Sequence, residues 1–155
     1  MSAPTTTPTL TYLATVKVRV ADPIEVGDTF EGFRRVVPIT GGSVEGPELR
    51  GVVLPIGADY QLLTSDTLTE LEAKYVIETD DGEKIYVSNV GLRAGSAEDI
   101  AALVRGEAVD PDRIYFRCVP RMVSQGRWAW LGSRIIVGTG VRHPDAVLLE
   151  FFVVE

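Results

Sequence analysis

The sequence predicts an all-β fold with one short helix, and two observations support that prediction. About eight segments alternate apolar and polar residues with a period of two and are rich in Val, Ile, Thr and aromatic residues. Gly, Pro and Asp separate these segments, mostly at hairpin spacing. So many short strands must protect their edges, and closing the sheet achieves this most completely. We therefore expect a single small antiparallel β-barrel, with a two-sheet β-sandwich as the alternative.

The predicted strands follow one another along most of the chain. They lie at residues 10–20, 33–39, 50–55 continuing toward 60–63, 71–79, 83–90, 113–122, 133–141 and 146–154. In the first strand, alternation places one set of side chains on the face expected to be buried: Leu10, Tyr12, Ala14, Val16, Val18 and Val20. Residues 1–8 show no such pattern and are expected to be a flexible lead-in to one domain at 9–155.

Residues 71–90 form the clearest predicted hairpin. Asp81-Gly82 predicts a two-residue type I′ turn between antiparallel arms. The inward side chains of the two arms are predicted to be Leu71, Ala73, Tyr75 and Ile77, then Ile85, Val87, Asn89 and, beyond Gly91, Arg93. The inward face therefore becomes polar at one end, where buried amides and guanidiniums need partners. Two explanations remain open: these side chains cap the barrel end, or they hold a ligand.

One helix is predicted in the segment GSAEDIAALVRGE. Ser96 suits the N-cap, Glu98 and Asp99 favour the positive end of the helix dipole, and Gly106 ends the helix. The strand that follows, 113–122, is predicted to bury Ile114, Phe116 and Cys118 and to expose Tyr115 and Arg117. Its outer face is therefore a candidate for contact with a second copy of the chain.

Composition and charge restrict the classes of function. The 155 residues carry a net charge of −7 and have a pI near 4.8, which is the wrong sign for a surface that neutralises nucleic-acid phosphates. The N-terminus has no basic region followed by an apolar one, and no stretch reaches the roughly 20 apolar residues of a membrane span. These features predict a soluble cytoplasmic protein that binds neither nucleic acid nor membrane.

The sequence contains no motif for a metal or a cofactor. The single histidine, His143, lies in a polar turn far along the chain from the only cysteine, Cys118, so no zinc-ligand spacing exists. GxSxG, a GxGxxG after a strand, a Walker loop and HExxH are all missing. We therefore predict no cofactor and no metal. Carboxylates, phenols and guanidiniums remain, and they can transfer protons or hold polar groups unaided.

Asp59 is the best candidate for an acid or base. It lies where the apolar segment VVLPIGA bends into YQLL, and partial burial there raises the pKa of a carboxyl group toward the range useful in catalysis. The alternative is an Asx-type turn, in which the side chain accepts local backbone N–H groups. The preceding glycines, Gly41, Gly42, Gly46 and Gly51, predict a loop that folds over a barrel end and leads to Asp59.

Other polar and aromatic residues are weaker candidates. Glu45 lies in the glycine-rich stretch, and alternation leaves only one of Arg34 and Arg35 facing inward. Trp128 and Trp130 are two residues apart and share a face if the segment is extended. For the tryptophans, packing is favoured over a ligand platform.

The order of motifs resembles the domain of unknown function family 3237, also called uncharacterised protein family 0311. The family pattern falls on Gly32 and Arg34, Gly41-Gly42, Gly46 to Gly51, Gly57 to Asp59, Tyr75, Asp81 to Ile85, Asn89 and Gly91, and Trp130-Leu131. The family usually has Trp after the Asp, whereas this chain has Tyr60. The resemblance implies a small β-barrel, often dimeric, whose marked residues gather at one end. Some members look like pathway proteins that close rings without a cofactor, including condensations of the Pictet–Spengler kind.

One functional hypothesis is a structural dimer whose mutual surface is the 113–122 strand. Two others concern a small molecule. The first is a cofactor-independent cyclase, isomerase or lyase of a biosynthetic or catabolic pathway, with Asp59 and Tyr75 as catalytic residues. Its substrate-binding residues would be Arg34, Glu45, Tyr60, Asn89, Arg93 and Trp130. The second is a barrel that binds a small hydrophobic or carboxylated molecule without changing it. In both, the expected partners are a small molecule and a second copy of the chain in a homodimer.

Overall fold

The computed structural model describes residues 6–155 and contains ten strands and one α-helix in that range. The strands are β1 (Leu10–Val20), β2 (Ile24–Thr29), β3 (Gly32–Glu45), β4 (Gly51–Val53), β5 (Ala58–Leu63), β6 (Leu68–Thr79), β7 (Lys84–Ala94), β8 (Tyr115–Val123), β9 (Ile136–Arg142) and β10 (Ala146–Val154). The helix α1 spans Ala97–Val104, and short 3-10 helices span Pro111–Arg113 and Ala129–Ser133. Of the predicted lead-in, residues 1–5 lie outside the described residues, and residues 6–8 are exposed and outside any strand.

The strands close into an eight-position antiparallel barrel. The wall runs β1-β10-β9-β8-β7-β6, and then β4 and β5 occupy one position between β6 and β3. The second half of β3 pairs with β1, which closes the ring, while β2 lies outside it along the first half of β3. The predicted barrel is therefore confirmed, and the sandwich alternative is wrong because the strands of residues 6–155 form one closed sheet.

The barrel interior is filled mainly by apolar side chains from alternating positions. Ile77, Ile85, Val87, Met122 and Phe151 have no exposed surface. Tyr75, Asn89 and Arg93 are buried, which confirms the inward positions predicted for them in the hairpin. The strand β8 likewise buries Phe116 and Cys118 and exposes Tyr115 and Arg117, as its alternation predicted.

The prediction for the first strand is wrong at its start. The pairing of β1 with β10 shifts register between Tyr12 and Ala14, so one extra residue enters β1 there. Such a bulge reverses the faces of the residues before it. Leu10 and Tyr12 are consequently exposed, at 56% and 40%, and Leu13 is buried instead.

The glycine-rich stretch is also different from the prediction. Residues 39–45 continue β3 and are not a loop over the barrel end. A Cβ atom on Gly42 would lie only 1.9 Å from the carbonyl oxygen of Lys17 in β1. Glycine is therefore needed here so that β3 can approach β1 and close the wall.

The hairpin between β6 and β7 has a different turn from the predicted type I′. The N–H of Gly82 donates to the carbonyl of Thr79, and the N–H of Thr79 donates to the carbonyl of Glu83. Gly82 has a φ of 90°, and no other described residue of the turn has a positive φ. These features define a three-residue connection with a glycine bulge, which keeps the predicted antiparallel pairing.

The predicted helix is confirmed, with Ser96 as N-cap accepting from the N–H of Asp99. The segment with the two tryptophans is a 3-10 helix and not extended, so Trp128 is buried at 3% exposure while Trp130 is 42% exposed. The carboxylate of Glu83 fixes this segment by accepting from the Ser124 hydroxyl and the Trp128 N–H.

Candidate functional site

A cluster of polar side chains lies inside the barrel among apolar ones. Its members come from five strands: Arg35 (β3), Asp59 and Gln61 (β5), Thr69 and Tyr75 (β6), Asn89 and Arg93 (β7), and Arg142 (β9). The register brings these strands together on one face, since Gln61 pairs with Arg35, and Arg93 pairs with Thr69. We call this set the polar cluster.

The chain enters β5 through a tight bend that aims Asp59 inward. Gly57 has a φ of 90°, and a Cβ atom there would lie 2.0 Å from the carbonyl oxygen of Lys74. Alternation along β5 then directs Asp59 and Gln61 into the barrel and Tyr60 out of it. Asp59 therefore faces the cavity and does not form the alternative Asx-type turn.

The carboxylate of Asp59 has one direct side-chain partner. Its Oδ2 accepts a hydrogen bond of 2.9 Å from Nε2 of Gln61, while its Oδ1 is buried and has no partner among residues 6–155. Burial raises the pKa of Asp59, and the Gln61 hydrogen bond and the positive charge of Arg93 only partly offset that effect. A carboxyl group in this position is suited to accept and return a proton.

Three arginines lie near enough to this carboxylate for its charge to act on each of them. Burial lowers the pKa of Arg93 to about 10 despite the opposing effect of Asp59, and its guanidinium lies 5.6 Å above the ring centre of Phe116. Burial also lowers the pKa of Arg35 and of Arg142. Arg35 donates to the carbonyl of Val104 at the end of α1, and Arg142 donates to the carbonyl of His143. The positive groups are thus anchored around a single acid.

Tyr75 and its neighbours complete the cavity wall. The hydroxyl of Tyr75 is buried without a hydrogen-bond partner in the described chain, and burial raises its pKa far above the ordinary range. Burial also raises the pKa of the Cys118 thiol to about 11, so this cysteine is a neutral thiol and not a nucleophilic thiolate. Tyr75 is consequently available as a neutral hydrogen-bond donor.

The cavity inside the barrel is small. It has a volume of about 40 Å³ and is lined by Asp59, Gln61, Tyr75, Asn89 and Arg142 together with apolar side chains such as Val18, Ile39, Leu71, Ala73, Phe116 and Leu149. A larger groove of about 970 Å³ lies on the outer wall. The buried polar atoms without partners belong to the interior and not to this groove, so the interior is the better site for chemistry.

Four predicted site residues lie elsewhere. Arg34 points outward and forms an ion pair of 3.2 Å with Glu31, because Arg35 takes the inward position. Tyr60 is 45% exposed on the outer wall, because it alternates with the inward-facing Asp59 and Gln61 along β5. Glu45 is exposed at the end of β3, and Trp130 is exposed on its 3-10 helix. The structure brings together Asp59, Tyr75, Asn89 and Arg93, but not these four.

The structure adds residues to the site that the sequence did not indicate. Gln61 could have been found by carrying the alternation two residues beyond Asp59. Arg142 gave no signal, because it ends a strand whose polar turn was expected to be ordinary surface. Within residues 6–155, no three His, Cys, Asp or Glu side chains gather as a metal site. In the same range, no helix is long and apolar enough to cross a membrane.

The fold and the cluster define a closed β-barrel with a polar cavity in its interior, and proteins of this kind are known. The family model described as "Protein of unknown function (DUF3237)" matches residues 8–154. A UPF0311 protein of Rhodopseudomonas palustris is 46% identical over 147 residues, which cover 93% of this chain and 96% of that protein. The chain therefore belongs to the DUF3237 (UPF0311) family.

Solved structures agree with this assignment. A conserved protein of unknown function from Rhodopseudomonas palustris superposes with a TM-score of 0.93 at 43% identity, covering 97% of this chain and all 100% of that one. A beta-barrel like protein from Acinetobacter baumannii gives 0.85 at 35% identity, covering 99% and 100%. An enzyme from Penicillium herquei gives 0.73 at 18% identity over 100% of both chains, which shows a shared fold.

Proposed function

We propose that this protein is a cofactor-independent enzyme that acts on a small molecule by acid/base catalysis inside the barrel. The observation that supports this most strongly is the pair of buried, unpartnered oxygens, Oδ1 of Asp59 and the hydroxyl of Tyr75, facing one cavity. Leaving each such atom unpaired costs about 1–3 kcal/mol. A bound substrate that pairs with them recovers this cost.

The proposed roles follow from the electrostatics of each group. Asp59 removes a proton from one atom of the substrate and returns it to another, because its raised pKa places the carboxyl closer to neutrality. Tyr75 donates a hydrogen bond to a developing negative charge and remains neutral. Asn89 lines the cavity and orients polar groups of the substrate, while the positive charge of Arg93 behind the lining favours the ionised form of Asp59.

These roles suit ring closure, isomerisation or elimination, all of which need proton transfer without redox change. A ring closure of the Pictet–Spengler kind also needs an iminium carbon held against its nucleophile in a site that excludes water. The apolar side chains that line the cavity provide such surroundings. The shared fold with an enzyme from Penicillium herquei is consistent with a catalytic barrel.

The size of the cavity restricts what enters it. A volume of about 40 Å³ is far below the roughly 300–1,000 Å³ of pockets that enclose a whole ligand. Only the reacting end of a substrate fits without rearrangement. The rest extends past the partly exposed residues at the cavity rim, Val20, Arg142 and Val147.

The test compares conversion of a metabolite extract by three proteins. The wild type, Asp59→Asn and the control Glu150→Gln are incubated with the extract, and mass spectrometry follows the loss and gain of metabolites. Glu150 lies on β10 of the same sheet but faces solvent. We expect wild type and Glu150→Gln to convert the same compound and Asp59→Asn to be slower by about 10²–10⁴-fold. Equal conversion by Asp59→Asn would contradict the role of Asp59.

A second candidate function is binding without conversion. The closed wall and the largely apolar lining favour it, since a carrier needs a cavity that shields its ligand but no catalytic group. Native mass spectrometry separates the two: a carrier releases its ligand chemically unchanged, whereas an enzyme releases a product of different structure.

We also propose a homodimer formed through the outer wall of β5 to β8. Five large apolar side chains there are 45–56% exposed: Tyr60, Val90, Leu92, Tyr115 and Val119. Glu70 and Glu72 on β6 lie between Tyr60 on one side and Val90 and Leu92 on the other, and Arg117 and Arg121 lie on β8 beyond β7. A two-fold axis near β7 would pair the acids of one copy with the arginines of the other. The cytoplasmic location stays a prediction.

A further inference from the structure

The polar cluster contains more buried positive charge than its own acid neutralises. We propose that the cavity recognises a substrate through a carboxylate group, held by Arg142, which lines the cavity. Arg93 and Arg35, which are buried in the same cluster, add positive charge from behind the lining. This inference rests on the proposed function, because it names the substrate class of the same site. It adds the chemistry of the group that the arginines bind.

Burial makes the excess charge expensive. Arg35 and Arg93 are each only 4% exposed, and Arg142 is partly buried at the cavity wall. The Nε atoms of Arg35 and Arg93 are buried without an acceptor anywhere in residues 6–155. Buried guanidiniums are normally retained only where an anion pairs with them. Two buried N–H donors of the cluster therefore lack the hydrogen-bond acceptor that buried donors normally have.

The acids near the arginines do not supply that partner. Asp59 is the acid inside the cluster, and its charge acts on all three arginines. Glu25 acts on Arg35 and Asp145 acts on Arg142, but both acids are exposed and outside the cavity. Three positive groups around one internal carboxylate leave room for a further negative charge. A carboxylate fits because guanidiniums bind its two oxygens with paired, charge-assisted hydrogen bonds.

The amide oxygens of the cluster suggest what accompanies the carboxylate. Oε1 of Gln61 and Oδ1 of Asn89 are also buried without donors in the described part of the chain. A hydroxyl or amine on the same substrate would donate to them. The cluster thus offers donors for a carboxylate and acceptors for a neighbouring O–H or N–H.

The experiment uses probes small enough for the cavity. Acetate and glycolate are compared with their neutral amides, acetamide and glycolamide, in a buffer low in chloride and other small anions. Binding is followed by the nuclear magnetic resonance signals of the arginine Nε–H groups. We expect each carboxylate to bind at least about tenfold more tightly than its amide, and glycolate to bind more tightly than acetate.

Variants locate the binding. Arg142→Gln should weaken acetate binding by about tenfold, whereas Arg134→Gln, at an exposed position outside the cluster, should leave it unchanged. Arg93→Gln should weaken it by a smaller factor, because Arg93 lies behind the cavity lining. Because Arg93 is buried, circular dichroism is used to check that the Arg93→Gln variant folds. If Arg93→Gln does not fold, the result for Arg142→Gln alone decides whether the inference holds. Equal affinity for carboxylate and amide, no binding of either, or an unchanged affinity in Arg142→Gln overturns the inference.

The two proposals fail separately. If acetate binds through Arg142 but Asp59→Asn converts the substrate at the wild-type rate, the carboxylate site stands and acid/base catalysis by Asp59 is wrong. If Asp59→Asn abolishes turnover of a neutral substrate that binds equally well to Arg142→Gln, the enzyme stands and carboxylate recognition is wrong.

Discussion

Asp59 accepts one hydrogen bond from Gln61, and its second oxygen is buried without a partner among residues 6–155. This arrangement disfavours the ionised carboxylate, so the folded state binds its proton more tightly than the unfolded chain does. The slope of unfolding free energy against pH is then negative wherever the folded state holds more protons. Ionised Asp59 therefore makes the protein less stable at neutral pH than at acid pH.

The first prediction concerns Asp59→Asn. The variant should be more stable than wild type at pH 7, and its advantage should shrink as the pH falls below the raised pKa of Asp59 toward the unfolded value of about 3.9. The measurement is thermal unfolding of both proteins across this pH range. An advantage that stays constant with pH, or grows toward acid, would be inconsistent with a raised pKa.

A second prediction concerns Tyr75→Phe. Removing a buried hydroxyl without a partner should raise the free energy of unfolding by about 1 kcal/mol or more, while turnover falls because the donor is lost. Urea denaturation gives the stability, and Tyr86→Phe on the exposed side of β7 is the matched control with no change expected. A clear loss of stability would show that the hydroxyl has a partner in the folded protein.

At the residue scale, alternation predicted part of the site. It placed Tyr75, Asn89 and Arg93 inside, because β6 and β7 keep one register along their pairing. It left Arg34 and Arg35 undecided, since Val36 and Val37 follow them and give both faces an apolar residue. Residues at a strand end, such as Arg142, carry a weak periodic signal, so only the closed fold reveals that Arg142 faces the cavity.

At the scale of elements, closure depends on how near β3 comes to β1. Replacing Gly42 with Ala should destabilise the protein by about 2 kcal/mol or more, because the new Cβ would meet the backbone oxygen of Lys17 at 1.9 Å. Gly132→Ala is the control, with its nearest neighbouring atom at 3.6 Å. Chemical denaturation of both variants measures the difference, and equal stability would mean that β3 has space to move.

Most strands could be predicted from the sequence, but their first and last residues could be predicted less well. The strand at 146–154 and the helix after Ser96 were found because their periodic patterns and boundary signals agree. β2 was missed because it lies outside the ring with nearly all of its residues exposed, so burial imposes no pattern on it. The bulge in β1 also left no signal, since Leu10, Tyr12 and Leu13 are all apolar.

At the scale of the whole molecule, the outer wall of β5 to β8 is expected to form the dimer contact. Val119→Glu should convert a dimer to a monomer, because it buries a charge beside the apolar partners across a two-fold axis. Light scattering measures the mass. Ile24→Glu, also at an exposed apolar position but on β2, is the control. A wild-type monomer, or a Val119→Glu protein that remains dimeric, would exclude this face.

The closed barrel is what gives the polar cluster its chemical character. The ring of strands buries one carboxylate oxygen of Asp59 and encloses Tyr75 and Arg93. In an open sandwich the same side chains would lie nearer to solvent and keep ordinary pKa values. The function proposed here therefore depends on closure as much as on any one residue.

The most direct test of acid/base chemistry by Asp59 is a titration of its carboxyl carbon by ¹³C nuclear magnetic resonance, with Asp59→Asn used to assign the signal. We predict that the pKa of Asp59 lies above the ordinary value of about 3.9 and that the pH dependence of kcat/KM follows the same ionisation. A carboxyl group that titrates at or below the ordinary value would contradict the proposed role of Asp59.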